Sequence, residues 1–366
     1  MAFLQLNAYT LKSCGTYIRR PVRLHKTKIL LPVACLVFLY PQKIAENPEM
    51  FSFVKDDCLV AALGTTGNSY FLKNGQVTGY HFDLITEYCK AINRKPVFIV
   101  EEDAGKRLNL LFSDAADIAV CNMKADSILQ IKNINHVRAD NAFLHTHWLV
   151  SGRNNGLARS MTAWLNSYIE TKDYKLLASK YNAARKPYKS RTYISEYDDL
   201  IKKYSSKINW DWRLIASLVC QESKFIPDVK SRKDASGLMQ IRKQTAEFLG
   251  FDSIDSNEKN IAAGIRLIKF LENYFAKDST IDAAERTKFV LAAYNAGHGK
   301  IDIFRKNTER KGFNSSIWAN VENTNTKQKH GKNQTFSQKH FLSKETVLFV
   351  SEILDRYEHY KNFFEE

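Results

Sequence analysis

The sequence lacks the features that mark several large classes of protein. Its six cysteines are irregularly spaced and match neither a zinc motif nor a redox motif. The most apolar stretch, Ile29 to Tyr40, is too short for a comfortable membrane span. The net charge of +15 is not concentrated in any segment, and no RNA- or DNA-binding motif or internal repeat is present. We therefore expect no metal, no cofactor and no nucleic-acid partner.

The N-terminal segment instead has the pattern of an export signal. Basic residues between Arg19 and Lys28 precede the short apolar stretch, as in a signal peptide, so we assign residues 1–45 to signalling or membrane targeting. Leu31 to Cys35 loosely resembles a lipobox, with Cys35 as the lipidated residue, although Pro32 fits that motif poorly. Lipidation and a plain signal peptide remain alternatives.

The most informative part of the chain is an ordered set of three short motifs. Gln221–Pro227 ends an apolar helix and contains one acid, Glu222. Ser236–Gln240 reads Ser-Gly-Leu-Met-Gln, and Ala293–Gly297 reads Ala-Tyr-Asn-Ala-Gly. Apolar neighbours penalise a charged carboxylate, so they predict a raised pKa for Glu222 and a role as general acid. The alternative is an ordinary solvated glutamate at a helix end.

The shortage of other acids near Glu222 along the chain indicates the type of reaction. Asp228 and Asp234 lie in a polar stretch that reads as a solvated loop. A glycosidase usually needs two carboxylates. A single acid suits a sugar substrate that supplies its own nucleophile, a hydroxyl that can attack the anomeric carbon, so that Glu222 acts first as acid and then as base.

Taken together, the three motifs resemble the catalytic domain of the soluble-lytic-transglycosylase type, the goose-lysozyme-like enzymes that cut bacterial peptidoglycan. The resemblance covers roughly residues 194 to 360. It implies a mainly α-helical, lysozyme-like domain that cleaves the MurNAc-β-1,4-GlcNAc bond without water and leaves 1,6-anhydroMurNAc ends. It also implies Glu222 as the catalytic residue and a substrate-binding set of Ser231, Gly237, Met239, Gln240, Tyr294 and Asn295.

Each substrate-binding assignment has a structural alternative. Gly237 could be an ordinary turn glycine, Met239 a core residue and Ser231 a loop hydroxyl. Gln240 could bind the sugar or hold its loop, and Tyr294 with Asn295 could simply end a helix capped at Gly297.

One residue departs from the family pattern. The segment from Glu345 to Val350 resembles the late Glu-Thr-x-x-Tyr-Val helix of the family, but Phe349 stands where the tyrosine is expected. A hydroxyl often directed at the catalytic acid is therefore missing. This departure concerns the tuning of Glu222, not the fold.

The front half, residues 50–186, has a different pattern. Strand-like runs at 58–63, 95–100 and 116–121 alternate with helical patterns, which predicts a parallel α/β layer. Their order resembles the family-3 extracellular solute-binding proteins, but the second lobe of that fold is missing from the sequence. We therefore expect docking or regulation, with Asp83 as a helix cap and Asp117 in a turn, both structural.

These observations predict two domains, an α/β front domain at 50–186 and the catalytic domain at 194–366, joined by a linker at 187–193. The polar stretch 311–339 is predicted to be a long loop. We expect the catalytic domain to fold and work alone.

The expected partner is peptidoglycan, which the mild positive charge suits, with possible membrane attachment. The expected location is the cell envelope, on the periplasmic side and attached to the outer membrane. Two alternatives remain for function: a lysozyme that hydrolyses the same bond, and a decayed catalytic domain that binds or senses the cell wall.

Overall fold

The computed structural model describes residues 58–65, 69–122, 131–139, 146–182, 193–326 and 341–364. The chain divides into two compact units, the first formed by Met1–Phe71 and Thr78–Lys189, the second by Leu72–Val77 and Ser190–Glu366. The predicted signal segment with Cys35, and the linker apart from its last residue, lie outside the described residues. This division assigns a short piece of the front half, Leu72–Val77, to the second unit.

The first unit is built on one five-stranded mixed sheet, and its α/β class is confirmed. The strand order is β4-β1-β5-β7-β6, where β4-β1-β5 pair in parallel and β5-β7-β6 pair in antiparallel fashion. Its elements are β1 Cys58–Leu63, α1 Tyr80–Ala91, β4 Lys95–Val100, α2 Ala104–Phe112, β5 Ile118–Cys121, β6 Ile134–Arg138, β7 His147–Ser151, α3 Asn155–Tyr168 and α4 Lys172–Asn182. The predicted parallel layer is therefore wrong for part of the sheet, because β6 and β7 pair in antiparallel fashion. These two short strands contain histidines, and no strand was predicted for them from the sequence.

Two acids of the first unit are structural, as predicted, but one has a different role. Asp117 accepts a hydrogen bond from the backbone N–H of Val60 at 2.9 Å, which ties its turn to β1. Asp83 is not a helix cap, because α1 begins at Tyr80 after an N-cap at Gly79. Its carboxylate instead forms an ion pair of 2.8 Å with Lys180 on α4.

The second unit is mainly α-helical, as predicted, around one large apolar core. Its helices are α5 Asp198–Ser205, α6 Trp212–Ser223, α7 Lys243–Phe248, α8 Asn257–Phe275, α9 Ala283–Ala296, α10 His298–Arg310, α11 Trp318–Asn325 and α12 Lys344–Lys361, and its short strands are β8 Ala235–Ser236 and β9 Ile241–Arg242. Helix α6 is buried along most of its length, which explains why its sequence is apolar on nearly every side.

The predicted loop at 311–339 is wrong over its first part. Helix α11 forms within it because Trp318 and Val321 are buried in the core, and this packing outweighs the polar composition. At the start of this helix, Trp318 donates its backbone N–H to the carboxylate of Glu285 at 2.5 Å. The remainder, from 327 to 340, lies outside the described residues.

A β-hairpin from the front half belongs to the second unit through its tip. Its strands are β2 Phe71–Lys73 and β3 Gln76–Thr78. Asn74 and Gly75 connect them with φ values of 51° and 70°, the left-handed conformation that two-residue hairpin turns require. Leu72 is buried in the core of the second unit. Among all the described helices, none is long and apolar enough to cross a membrane.

Candidate active site

Helix α6 carries Glu222 in its last turn. Asp211 caps the beginning of the helix by accepting the backbone N–H of Arg213 at 2.9 Å. The helix ends where Lys224 adopts a left-handed conformation with φ 52°. The buried length of the helix fixes its axis, so that the carboxylate of Glu222 reaches a cleft at its end.

The cleft has a volume of about 510 Å³, and both the predicted catalytic residue and predicted substrate-binding residues line it. Five of the seven predicted site residues lie around it, namely Glu222, Ser231, Gln240, Tyr294 and Asn295. Gly237 and Met239 are absent from its wall. The structure therefore brings the three sequence motifs to one place in the second unit.

Burial raises the pKa of Glu222 to about 8, and the nearby charge of Glu345 contributes in the same direction. In the described part of the chain, no hydrogen bond to the Glu222 carboxylate offsets this effect. Each additional unit of pKa reflects about 1.4 kcal/mol in favour of the neutral form. The carboxyl group is consequently protonated at neutral pH and able to donate a proton.

Tyr294 holds the loop that contains Met239. Its hydroxyl donates a hydrogen bond of 2.7 Å to the carbonyl oxygen of Met239, and burial raises its pKa well above the usual value. The side chain of Met239 is fully buried in the core, where its sulfur packs against Gly264. Met239 thus contacts the site through its backbone, by way of Tyr294.

The Gly237–Gln240 turn is fixed by hydrogen bonds within the unit. Gln240 donates from Nε2 to the carbonyl oxygens of Val229 and Gly237, each at 2.9 Å, so its amide nitrogen holds the loop. Gly237 has φ 78°, and an added Cβ would lie 2.3 Å from Asn260. This position therefore requires glycine for two separate reasons.

Ser231 and Asn295 lie on the cleft wall with local partners. The hydroxyl of Ser231 accepts the backbone N–H of Ala235 at 3.1 Å, which stabilises its loop. Asn295 accepts a hydrogen bond of 2.8 Å from the hydroxyl of Thr346 on α12. Because its oxygen is engaged, the amide NH₂ of Asn295 is the part suited to donate to a ligand.

Phe349 is buried in the core one turn after Thr346. The described structure therefore contains no hydroxyl at this position to direct at Glu222. Thr346, whose side chain is also buried, connects α12 to the cleft instead through Asn295.

Two cleft features were missed in the sequence. The first is Glu345, which lines the same cleft as Glu222, so the expected lone acid is isolated along the chain but not in space. The motif containing Glu345 was visible, but nothing in its spacing indicated that α12 packs beside the end of α6. Asp228 and Asp234 are exposed, as predicted.

The second missed feature is an aromatic wall, formed by Phe248, Phe270 and His298. Phe248 is 68% exposed and meets Phe270 edge to face with ring centroids 5.4 Å apart. The rings of His298 and Phe270 also meet edge to face, with centroids 5.5 Å apart. Exposed aromatic rings in a cleft provide flat apolar contact area for a ligand.

The cleft therefore combines a neutral carboxyl group, a second acid and an aromatic wall. A neutral carboxyl at this position can protonate a leaving group. No group of three or more His, Cys, Asp or Glu side chains that could hold a metal ion occurs in the described residues.

Comparison with known proteins places this cleft in a family context. Residues 199–317 match the family model described as the Transglycosylase SLT domain. Membrane-bound lytic murein transglycosylase F from Pseudomonas fluorescens (strain Pf0-1) is 33% identical over 129 residues, which cover 35% of this chain and 26% of that protein. The protein of the same name from Desulfosudis oleivorans is 27% identical over 185 residues, which cover 48% of this chain and 40% of that protein.

Solved structures with detectable similarity have low overall scores. The 70 kDa soluble lytic transglycosylase from Escherichia coli has a TM-score of 0.32 and 22% identity, covering 57% of this chain and 33% of that chain. Domain 1 from TmArgBP in its arginine-bound form has a TM-score of 0.28 and 14% identity, covering 31% of this chain and 94% of that chain.

The chain spans between a quarter and two fifths of the length of these curated relatives. The part matched by the family model includes the helix that bears Glu222 and the Ala293–Gly297 motif. Residues 199–317, which lie in the second unit, are therefore similar to the Transglycosylase SLT domain.

Proposed function

We propose that this chain is a peptidoglycan lytic transglycosylase that cleaves the MurNAc-β-1,4-GlcNAc bond and leaves 1,6-anhydroMurNAc ends. The observation that carries the proposal is Glu222, a half-buried residue of the cleft wall whose desolvation raises its pKa to about 8. The SLT domain match and the names of the relatives support the substrate class.

The proposed reaction needs one proton-carrying group and no water. Protonated Glu222 donates its proton to the glycosidic oxygen, and the bond between that oxygen and the anomeric carbon breaks. The resulting carboxylate then takes the proton from the C6 hydroxyl of the same MurNAc residue, as that oxygen bonds to the anomeric carbon. Glu222 ends the cycle protonated, as it began.

The other cleft residues are proposed to bind or to position. Asn295 donates its amide NH₂ to the substrate, and Ser231 contacts it from the opposite loop. Gly237, Met239 and Gln240 act mainly by fixing the backbone of that loop, with Tyr294 holding it through the Met239 carbonyl. The aromatic wall stacks against the apolar face of a sugar ring.

Glu345 favours one alternative function, a lysozyme that hydrolyses the same bond. A second carboxylate in the cleft could activate water, as in glycosidases that use two acids. A further alternative, a decayed domain that only binds or senses the cell wall, is less consistent with the raised pKa of Glu222.

Mass spectrometry of the products separates these functions. Purified protein is incubated with peptidoglycan sacculi, with the Glu222→Gln variant as control. Anhydro ends, lighter by one water than reducing ends, are expected from wild type only. Reducing ends would establish the lysozyme alternative, and binding to sacculi without any product would establish the binding protein.

We also propose the cell envelope as the location, on the periplasmic side and attached to the outer membrane, since the relatives are named membrane-bound. Lipidation at Cys35 is the anchor to test, by fatty-acid labelling of wild type and Cys35→Ser. Loss of label in the variant is expected. Absence of label in wild type would instead support the alternative, a signal peptide that is cleaved without lipidation.

For the front half we propose a docking role and no capture of free amino acids. One lobe leaves an open face with few convergent polar groups. Calorimetry of the full chain against common amino acids is expected to show no binding, and micromolar affinity for any of them would restore a sensor role.

A further inference from the structure

The hairpin tip at Leu72–Val77 contacts the helix that bears Glu222. Gln76 donates from Nε2 to the sulfur of Cys220 at 3.0 Å, and the thiol of Cys220 lies 3.6 Å from the carbonyl oxygen of Gly75. Cys220 is two residues before Glu222 on α6. The tip therefore contacts α6 half a turn from the residue that bears the carboxyl group.

Helix α12 holds the hairpin tip from a second direction. The hydroxyl of Tyr360 donates a hydrogen bond of 2.5 Å to the carbonyl oxygen of Gly75. Tyr360 is fully buried, and the Gly75 carbonyl satisfies the hydrogen-bonding need of its hydroxyl inside the core. Leu72 and Val77 pack into the same core. The tip is thus fixed by both apolar and polar contacts.

The backbone just after the helix that bears Glu222 is strained at two residues. Lys224 and Phe225 are consecutive non-glycine residues with φ values of 52° and 62°. Such conformations are costly and persist only where the surroundings impose them. The surroundings here include the hairpin, because a Cβ added to Gly75 would lie 2.3 Å from the ring of Phe225.

From these contacts we propose that the hairpin tip is a positioning element for Glu222. Gly75 leaves the space in which the Phe225 ring rests, and that contact fixes where α6 ends and where its last carboxyl group lies. Tyr360 and Gln76 hold the tip in register with α6. This inference rests on the proposed function, and it assigns a role in the reaction to three residues outside the cleft.

The position of the hairpin in the sequence has a consequence for fragments. A fragment beginning at residue 190 lacks Leu72 and Gly75, and it leaves the Tyr360 hydroxyl without its acceptor. The expectation that the catalytic domain works alone is therefore replaced by an expectation of reduced turnover in such a fragment.

The test uses the full chain and two glycine substitutions with matched backbone cost. Gly75 and Gly312 have φ values of 70° and 80°, so alanine is strained at both, but a Cβ at Gly312 meets nothing within 4 Å. Gly75→Ala is expected to lower kcat on soluble glycan strands about tenfold with KM within twofold, since small displacements of a catalytic group are costly. Gly312→Ala is expected to leave kcat unchanged.

Two further variants keep the result decisive if Gly75→Ala does not fold. Tyr360→Phe keeps the ring and removes only the hydroxyl, and we expect kcat to fall severalfold with KM unchanged. Tyr204→Phe, which removes a surface hydroxyl bound to Glu258, is its control. Phe225→Leu combined with Gly75→Ala should recover part of kcat, because the smaller side chain relieves the contact.

The outcomes separate this inference from the proposed function. If wild type forms no anhydro product, the proposed function fails. If wild type is active and Gly75→Ala and Tyr360→Phe both match their controls in kcat, the hairpin is only structural and the positioning role is overturned. A lowered melting temperature with unchanged kcat would overturn it in the same way.

Discussion

Two carboxylates in the second unit, a buried one at Asp198 and a half-buried one at Glu222, have different surroundings. Asp198, at the start of α5, is 7% exposed and accepts three hydrogen bonds, from the backbone N–H groups of Ile194 at 2.7 Å and Ser195 at 2.9 Å and from the Ser195 hydroxyl at 2.9 Å. Glu222, at the end of α6, receives none from the described residues. Burial raises the pKa of both groups, but at Asp198 the three donors and the charge of Lys202 act in the opposite direction and offset part of the effect.

This difference separates a structural acid from the acid that we propose to be catalytic. Donors that satisfy a buried carboxylate stabilise its charged form and the local fold, but they also remove its capacity to give up a proton near neutral pH. A desolvated carboxyl group without donors lowers the free energy of unfolding as the pH rises, because its charged form is unfavourable in the folded state. The same raised pKa keeps a proton available for general acid catalysis near neutral pH. Replacing each acid by its amide should therefore have opposite effects at the two sites.

The largest expected effect is the loss of turnover in Glu222→Gln. The amide has the same shape but cannot donate or accept the catalytic proton, and general acid–base catalysis contributes about 10²–10⁴-fold. Product formation from sacculi measures this loss, with circular dichroism to show that the fold is intact. Turnover within a few-fold of wild type would remove Glu222 from the catalytic role.

The same substitution should stabilise the protein at alkaline pH. The folded pKa of Glu222, about 8, lies above the ordinary glutamate value of 4.5, so the contribution of this group to stability is fully present below pH 4.5 and is lost as the pH rises through 8. Glutamine does not ionise, so the variant avoids this decline. Its unfolding free energy should exceed that of wild type by about 4 kcal/mol at pH 8.

Urea unfolding at two pH values measures this difference. Near pH 4 the carboxyl group is largely neutral in both the folded and the unfolded chain, so the gain should nearly vanish there. An equal gain at both pH values would show that it arises from packing and not from ionisation of Glu222.

The fold was predictable where the sequence had strong periodic patterns, and less so elsewhere. The three runs that became β1, β4 and β5 have clear strand patterns, so they were found, whereas β6 and β7 contain His136 and His147 and were missed. Helix α11 was missed for a related reason, because only three buried side chains, those of Trp318, Val321 and Asn325, hold a polar segment in place. In each case long-range packing decided the local structure.

Only those site residues that belong to short sequence motifs or to the family resemblance could be predicted. The ordered motifs pointed to Glu222, Gln240, Tyr294 and Asn295, and the family resemblance added Ser231, all of which line the cleft. Glu345, Phe248 and the hairpin tip could not be found, because their roles depend on which elements meet in space. Nothing near Gly75 in the sequence indicates a partner 285 positions away, at Tyr360.

The structural acid provides the converse test. Asp198→Asn replaces one of the two acceptor oxygens by an NH₂ group, which cannot accept a hydrogen bond. At least one of the three buried donors therefore loses its partner. Such a loss costs about 1–3 kcal/mol. We expect unfolding at pH 7 to be easier by that amount while turnover per folded molecule is unchanged. Asp228→Asn, at an exposed position, is the control and should show no change.

The smallest expected effect is a shift in the pH profile of Glu345→Gln. Burial is the main cause of the raised pKa of Glu222, and the charge of Glu345 is the second, so its removal should lower that pKa without restoring an ordinary value. Tyr294, the other titratable group that interacts with Glu222, stays neutral because its own pKa is raised well above the usual value.

The alkaline limb of kcat should therefore move to lower pH in Glu345→Gln, with most of the turnover at pH 6 retained. Glu247→Gln, on the exposed face of α7, is the matched control and should leave the profile in place. A profile that does not move would show that burial alone sets the pKa of Glu222. A complete loss of turnover at every pH would instead give Glu345 a direct part in the chemistry, which is the result that the lysozyme alternative requires.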